Sequence, residues 1–247
     1  MPKLFNFTTN RRGLLVYGGE SSADFGMVIA EAPAFERPAR KQTVYKVPGS
    51  NRAIVFQQDA WEHVTRSYNV WIADDKKKDL VEQINAFEAW LNASEGYNRL
   101  EDSFEPEIYR LAYYSGGDDV SNELMQYGRA TIKFACRPER FLKEGEQVIP
   151  VVNGDAVYNP TKFASKPLIH IEGSGSVSVS IEGVTITATV TDYINIDCEA
   201  MNAYRLPAEN KNNVIGGSFP TIKPGTNAIG ITGTVTSCTI VPRFFTI

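Results

Sequence analysis

Residues 176–190 alternate apolar and hydroxyl side chains almost without a break. Ser176-Val177-Ser178-Val179-Ser180-Ile181 is followed by Glu182-Gly183 and then by Val184-Thr185-Ile186-Thr187-Ala188-Thr189-Val190. Successive strand side chains point to opposite faces, so this period of two predicts a pair of strands. Val177, Val179 and Ile181 share one face of the first strand, and Val184, Ile186, Ala188 and Val190 share one face of the second. Glu-Gly is a weak hairpin dipeptide, because a type I′ turn needs positive φ at both central positions and Glu resists it. The alternation on either side carries the hairpin. Its hydroxyl face holds no catalytic groups and reads as the outside of a β-sandwich, built to present a surface.

The same pattern extends over the second half. Strands are predicted at 168–172, 176–181, 184–191 and 193–197, with further segments near 228–231 and 239–244. Over much of this half they recur every 8–12 residues, the spacing of a sandwich. Residues 210–217 and 219–225 are polar, Gly- and Pro-containing loops.

The first half reads as strands around one helix. Leu14-Leu15-Val16-Tyr17, the run 25–30, Ala53-Ile54-Val55-Phe56 and Tyr68-Asn69-Val70-Trp71-Ile72 are short, apolar and strand-like. In 79–93, Leu80, Ile84, Phe87 and Leu91 recur at helical spacing, and Val81 and Trp90 broaden the stripe. Asp74 or Asp75 is placed to cap this helix, and Gly96 to end it in a left-handed conformation. Lys76, Lys77 and Lys78 sit at the positive end of its dipole, where cations are disfavoured. They read as a solvated charge run.

Beyond the helix, 107–114 is a strand, and 128–136 is another with Ala130, Ile132, Phe134 and Cys136 facing inward. Arg137-Pro138 is expected to end it, since proline donates nothing to a ladder. Lys143-Glu144-Gly145-Glu146 is the natural linker, which predicts domains of residues 1–145 and 146–247. The stretch 36–46 departs from all of this. It holds Arg37, Arg40, Lys41, Tyr45 and Lys46 with little apolar content, and reads as an extended arm or long hairpin in contact with another protein.

Composition narrows the function more by exclusion than by assignment. Hydrophobic residues make up 43% of 247 and charged ones 22%, the balance of a folded globular chain. No run approaches the roughly 18 apolar residues of a membrane span, and no export signal is visible, so the protein is expected to stay where it is made. A net charge of −4 offers no general attraction to nucleic acid or anionic lipid. Cys136, Cys198 and Cys238 have no metal-ligand spacing and read as reduced thiols.

The candidate chemistry is thin. His63 and His170 are the two histidines, and alternation turns His170 away from Ile169 and Ile171 toward solvent. Gly173-Ser174-Gly175-Ser176 lacks the second half of a nucleophile elbow. Glu101, Asp102, Glu105 and Glu107 are acidic company for a glycosidase, but nothing fixes an acid–base separation, and they read as a solvated loop. Asp118-Asp119 lacks the further ligands of a calcium loop. Phosphate loops and dinucleotide fingerprints are absent. No catalytic, cofactor-binding or metal-binding residue is assigned, and the chain is not read as an enzyme.

Many weak matches in order carry a resemblance. They are Ser22-Ala23-Asp24-Phe25-Gly26-Met27-Val28-Ile29, then Glu36-Arg37-Pro38 through Pro48-Gly49. Tyr68-Asn69-Val70-Trp71-Ile72 leads to a helix ending Phe87-Glu88-Ala89-Trp90-Leu91. Gly128 to Pro138, Asn159-Pro160-Thr161, Lys166-Pro167-Leu168-Ile169 and Phe219-Pro220-Thr221-Ile222-Lys223-Pro224-Gly225 follow. Together they resemble the distal tail (Dit) proteins, the baseplate hubs of long non-contractile-tailed phages that infect Gram-positive bacteria.

That resemblance implies a mainly β protein, with an α+β N-terminal domain of tail-tube-like sandwich form carrying one helix. It implies a galectin- or carbohydrate-module-like C-terminal sandwich. Six copies would form a ring, or two stacked rings, joining the tail tube to the baseplate or adhesion apparatus at the virion's tail tip, after assembly in the host cytoplasm. The partners implied are the tail tube protein, the tail-associated hub protein and receptor-binding proteins, with no membrane and no specific nucleic-acid binding. DNA would pass along a channel to whose phosphates an acidic chain offers little grip. The arm at Arg37, Arg40, Lys41, Tyr45 and Lys46 would reach a neighbouring subunit. The alternative is a host cell-wall glycan-binding adhesin working through the C-terminal sandwich. That half has Tyr158, Phe163, Tyr193, Tyr204, Phe219, Phe244 and Phe245 but no tryptophan platform, which favours a scaffold.

Overall fold

A computed structural model describes residues 13–73, 80–117, 121–123, 127–206 and 209–247. The chain is mainly β, and it divides into two compact units, residues 1–140 with Ile247 and residues 141–246. Asp74, Asp75, Lys76, Lys77, Lys78, Asp118 and Asp119 lie outside the described residues.

The first unit runs β1 (Leu15–Tyr17), β2 (Glu20–Ser21), β3 (Met27–Ile29), β4 (Arg40–Lys46), β5 (Ala53–Trp61), β6 (Val64–Ala73), α1 (Leu80–Asn92), β7 (Asn98–Asp102), β8 (Ile108–Gly117), β9 (Ser121–Glu123) and β10 (Tyr127–Leu142). The last two residues of β10 belong to the second unit. The main sheet has the order β2-β1-β7-β8-β10-β6-β3, while β4 and β5 form a separate two-stranded sheet. β10 pairs antiparallel with β6 from Tyr127↔Ala73 to Cys136↔Val64. Ala130, Ile132, Phe134 and Cys136 all face the core, as alternation requires. The strand does not end at Pro138. Its rungs with β6 stop at Cys136, so the missing N–H of Pro138 lies past the last of them.

Helix α1 buries Gln83, Phe87, Trp90 and Leu91. Val81 is half exposed, because it sits two positions before Gln83 and so about 200° round the helix. Trp90 holds the helix to the sheet. Its indole N–H donates to the Tyr17 carbonyl at 3.2 Å, and Phe25 stacks on the ring at 4.8 Å. Gly96 is left-handed (φ 69), but lies four residues past the last helical residue.

The second unit runs β11 (Ile149–Pro150), β12 (Ala156–Asn159), β13 (Leu168–Ile181), β14 (Val184–Val190), β15 (Tyr193–Asp197), β16 (Asn202–Tyr204), β17 (Ile215–Gly217), β18 (Gly225–Val241) and β19 (Phe245–Thr246). Its sheet order is β11-β18-β13-β14-β17, with β12 on β18, and with β15 on β13 carrying β16. The predicted hairpin forms with Ile181 opposite Val184 and with Glu182 at φ 48 and Gly183 at φ 78. Both central residues thus take the positive φ of a type I′ turn. The hydroxyls line the outer face, where Ser178 and Thr232 lie 2.6 Å apart.

Two differences from the sequence reading share one cause. Residues 168–172 and 176–181 form one strand, β13, and the segments near 228–231 and 239 onward form one strand, β18. Glycines carry the chain through the irregularities. The register shifts after Glu172 and between Ser174 and Ser178, and a Cβ on Gly173 would come within 2.3 Å of the Thr234 carbonyl. Residues 143–146 form a 3-10 turn packed on Phe244 rather than an open linker. A Cβ on Gly145 would meet the Phe244 nitrogen at 2.3 Å, and Arg243 donates its N–H to the Gly145 carbonyl. The compact units part after Arg140, five residues before the boundary read from sequence after residue 145.

Candidate interaction surface

β4 and β5 pair from Lys46↔Ala53 through Val44↔Val55 to Gln42↔Gln57, then shift register before Arg40↔Trp61. Residues directly opposite in an antiparallel pair share a face. Thr43, Tyr45, Ile54 and Phe56 therefore share one, with Tyr45 and Phe56 edge-on at 5.7 Å. Gln42, Val44, Lys46, Ala53, Val55 and Gln57 share the other. Neither face is covered: Tyr45 and Phe56 are each 58% exposed, and Ile54 and Val55 about half. An isolated two-stranded hairpin is marginal in water. With apolar groups on both sides, this one leaves apolar surface open to water on each face.

The hairpin is tied to its unit at the root. Glu62 N–H bonds the Ala39 carbonyl, and the Arg40 guanidinium lies over the Trp61 ring at 4.9 Å, with Asp59 at 3.9 Å. The stronger tie is Arg66, on the strand that leaves the hairpin. Its guanidinium reaches back to the segment that enters it, donating to the Ala34 carbonyl at 3.3 Å and to Glu36 at 3.1 Å. The same group bonds Asp102 at 2.9 Å and the Tyr68 hydroxyl oxygen at 2.9 Å, and lies 3.0 Å from Glu105. Arg110 and Arg140 also pair with Glu105. Three guanidinium groups thus meet Asp102, Glu105 and Glu36, and without Glu36 one positive charge remains in excess. Burial alone would lower the basicity of Arg66, but the Tyr68 hydroxyl and the Asp102 carboxylate raise it well above the ordinary value. Burial also drives the Tyr68 phenol upward, so it stays neutral and donates to Asp102.

The residues singled out in the sequence fall in two places. Arg40, Lys41, Tyr45 and Lys46 stand on β4, and Arg37 is exposed in the segment before it. The sequence reading gave the strand at 53–56 but not its pairing with this arm. Ala53-Ile54-Val55-Phe56 looked like a strand of the body, because apolar β-branched runs carry no mark of whether their partner is core or solvent. The acidic run was also misread as a solvated loop. Glu101, Asp102 and Glu105 are buried against arginines, Arg99 and Arg110 from nearby and Arg66 and Arg140 from far along the chain, and the distant two no local pattern announces. His63 is exposed and bonds Tyr97, and His170 faces outward onto Asn195 at 2.8 Å.

Among the described residues no three His, Cys, Asp or Glu side chains are placed to hold a metal ion, and no helix is long and apolar enough to cross a membrane. The three cysteines are buried and unpaired with one another. Burial pushes the Cys136 and Cys198 thiols up to about 12 and Cys238 to about 11.

No family model matches the sequence, and no curated protein matches it. Solved structures do match the fold. The chain is similar to the Dit protein of phage SPP1, described as a paradigm of the hub adsorption apparatus in phages infecting Gram-positive bacteria. That likeness has a TM-score of 0.73 at 13% identity, over 92% of this chain and 97% of that one. It is also similar to a chain of the phage p2 baseplate in its activated conformation with Sr, with a TM-score of 0.57 at 10% identity, over 93% and 96%. The same baseplate with Ca gives 0.54 at 9% identity, over 93% and 96%. The chain shares its fold with these phage proteins.

Proposed function

We propose that this chain is a structural protein of a phage tail tip, of the distal tail type, and not an enzyme. Its first unit assembles as a homo-hexameric ring, single or stacked, that joins the tail tube to the baseplate or adhesion apparatus. The second unit presents its sandwich face to other baseplate proteins, among them a tail-associated hub protein and receptor-binding proteins. Assembly takes place in the host cytoplasm, and DNA passes along the channel without specific binding. The observation that carries this reading is the β4–β5 hairpin, apolar and uncovered on both faces, on a fold shared with baseplate hubs. Covering the exposed half of Tyr45, Ile54 and Phe56 contributes about 1–1.5 kcal/mol each before the cost of association. Light scattering with negative-stain imaging of the full chain tests it. Rings of six are expected; a strictly monomeric species at high concentration sinks the reading.

One observation favours the other reading, a host-wall glycan adhesin. His170, Glu172, Tyr193 and Asn195 share an outer sheet face of the second unit, with the His170 and Tyr193 rings 5.5 Å apart. Aromatic rings beside amide and carboxylate groups suit a sugar. Sedimentation of the full chain with purified host walls, lost on Tyr193→Ala, is the expected result of this reading. No sedimentation by the folded wild type removes it.

A further inference from the structure

Two loops of the second unit, residues 159–167 and 219–227, are pinned by two buried asparagines. Asn159 is 1% exposed. Its amide donates to the Phe163 carbonyl at 2.9 Å and the Ile222 carbonyl at 3.0 Å, and it accepts from the Thr161 N–H and hydroxyl. Asn227 is fully buried, donates to the Lys223 and Gly225 carbonyls, and accepts the Lys223 N–H at 2.8 Å. Ser165 and Ile222 exchange both backbone bonds at 2.9 Å, tying one loop to the other. Loops held in this way are ordered before anything binds, so little freedom remains to be lost on contact.

What they turn outward is one sign of charge. Lys162, Lys166 and Lys223 are exposed, and none has a carboxylate partner among the described residues. Residues 156–168 and 219–227 contain no Asp or Glu, on a chain of net charge −4. Lys166 and Lys223 are diagonal neighbours across the Ser165–Ile222 bridge, about 7–8 Å apart and on the side away from that buried pair. Lys162 sits between Thr161 and Phe163, both bonded to Asn159, whose other amide bond goes to Ile222 beside Lys223. Next to Asn159, Tyr158 is 66% exposed on β12, opposite Thr226. Among the described residues β12 pairs with β18 alone, which leaves its other edge without a strand. Three like charges this close repel one another, and the countercharge has to come from outside. An extended acidic segment supplies it and also fits an open strand edge beside a tyrosine. The patch holds no arginine, the residue whose fork suits phosphate, so a peptide is favoured over a phosphate polymer.

We infer that this platform docks an extended acidic segment of another tail-tip protein, its carboxylates on Lys162, Lys166 and Lys223 and its chain running past Tyr158. This rests on the reading of the second unit as the part that holds other baseplate proteins, and names the chemistry of one such partner. Fluorescence anisotropy with the full-length chain tests it, the probes being labelled decapeptides of repeating Glu-Thr and, as the neutral form, repeating Gln-Thr. Wild type is expected to bind the first and not the second. Reversing the patch with Lys162→Glu, Lys166→Glu and Lys223→Glu together should weaken binding on the order of 30-fold. The Gln versions at the same three positions should lose less, and thermal unfolding checks that each variant is folded. Carbodiimide coupling, which joins carboxylates to amines, should attach the Glu-Thr peptide to these three lysines. Attachment to Lys41 and Lys46 instead, or no binding by a wild type that forms rings, overturns the patch and leaves the tail-tip reading standing. Inorganic polyphosphate that binds the lysines more tightly than the peptide overturns the peptide in favour of a phosphate polymer. Loss of rings in the reversed variant makes the patch a contact between copies and overturns the outside partner. A monomeric wild type overturns the tail-tip reading, whatever it binds.

Discussion

Arg66 is a charged side chain with 1% of its surface exposed, tolerable only because it satisfies two carboxylates, a phenol and the hairpin's root together. Removing it leaves Asp102 and Glu105 buried with weakened compensation. Arg66→Ala is therefore expected to destabilise the first unit by about 3–5 kcal/mol, read by urea unfolding. Glu36 is the peripheral member of that cluster and the one that belongs to the hairpin's root. Glu36→Gln should leave the core nearly as stable while loosening the root, seen as faster tryptic cleavage at Arg40 and Lys41. In the second unit Asp197 is the group to watch. Burial by itself raises its carboxyl, but the two-pronged Arg243 guanidinium at 2.7 and 2.9 Å, with the Ala200 and Glu199 N–H groups, holds it below the ordinary value. A carboxyl depressed on folding stabilises above its unfolded value of about 3.9 and loses that contribution as pH falls through the lower folded value. The stability gap between wild type and Asp197→Asn should therefore be full near neutral pH and close progressively below about pH 4.

At the scale of elements, the two long strands of the second unit depend on glycine where they bend. Gly233 on β18 has φ 98, and a Cβ there would approach the Ser176 carbonyl oxygen to 2.4 Å. Gly233→Ala therefore meets strain and a clash, and is expected to cost about 1–3 kcal/mol in thermal or urea unfolding. Gly183→Ala, in the hairpin turn, has nothing within 4 Å to meet and suffers only from its φ, so it should cost less. The contrast separates backbone strain from crowding. The outer part of the β4–β5 hairpin obeys a different rule, since Tyr45, Ile54 and Phe56 stay about half exposed and so add little to folding.

For the whole molecule, the division of labour follows from what each unit leaves uncovered. The first unit buries a complete core under α1 and still exposes an apolar hairpin. The second closes its core around β13, β14 and β18 and turns hydroxyls, His170 and Asn195 outward. Both arrangements leave extended surfaces open to solvent.

Residue spacing by itself determined the second unit's hairpin and the inner face of β10, through period two, and the stripe of α1, through helical spacing, because burial of one face is written into that spacing. It also marked the basic arm by its lack of core residues. Only the tertiary structure decided that 53–56 belongs to that arm, that Glu101, Asp102 and Glu105 are buried ion-pair partners, and that 168–181 and 225–241 are unbroken. Each of those turns on a partner distant in sequence, or on a glycine bend whose register depends on the strand beside it. A period can state which side of a strand is apolar. It cannot state what lies across from it.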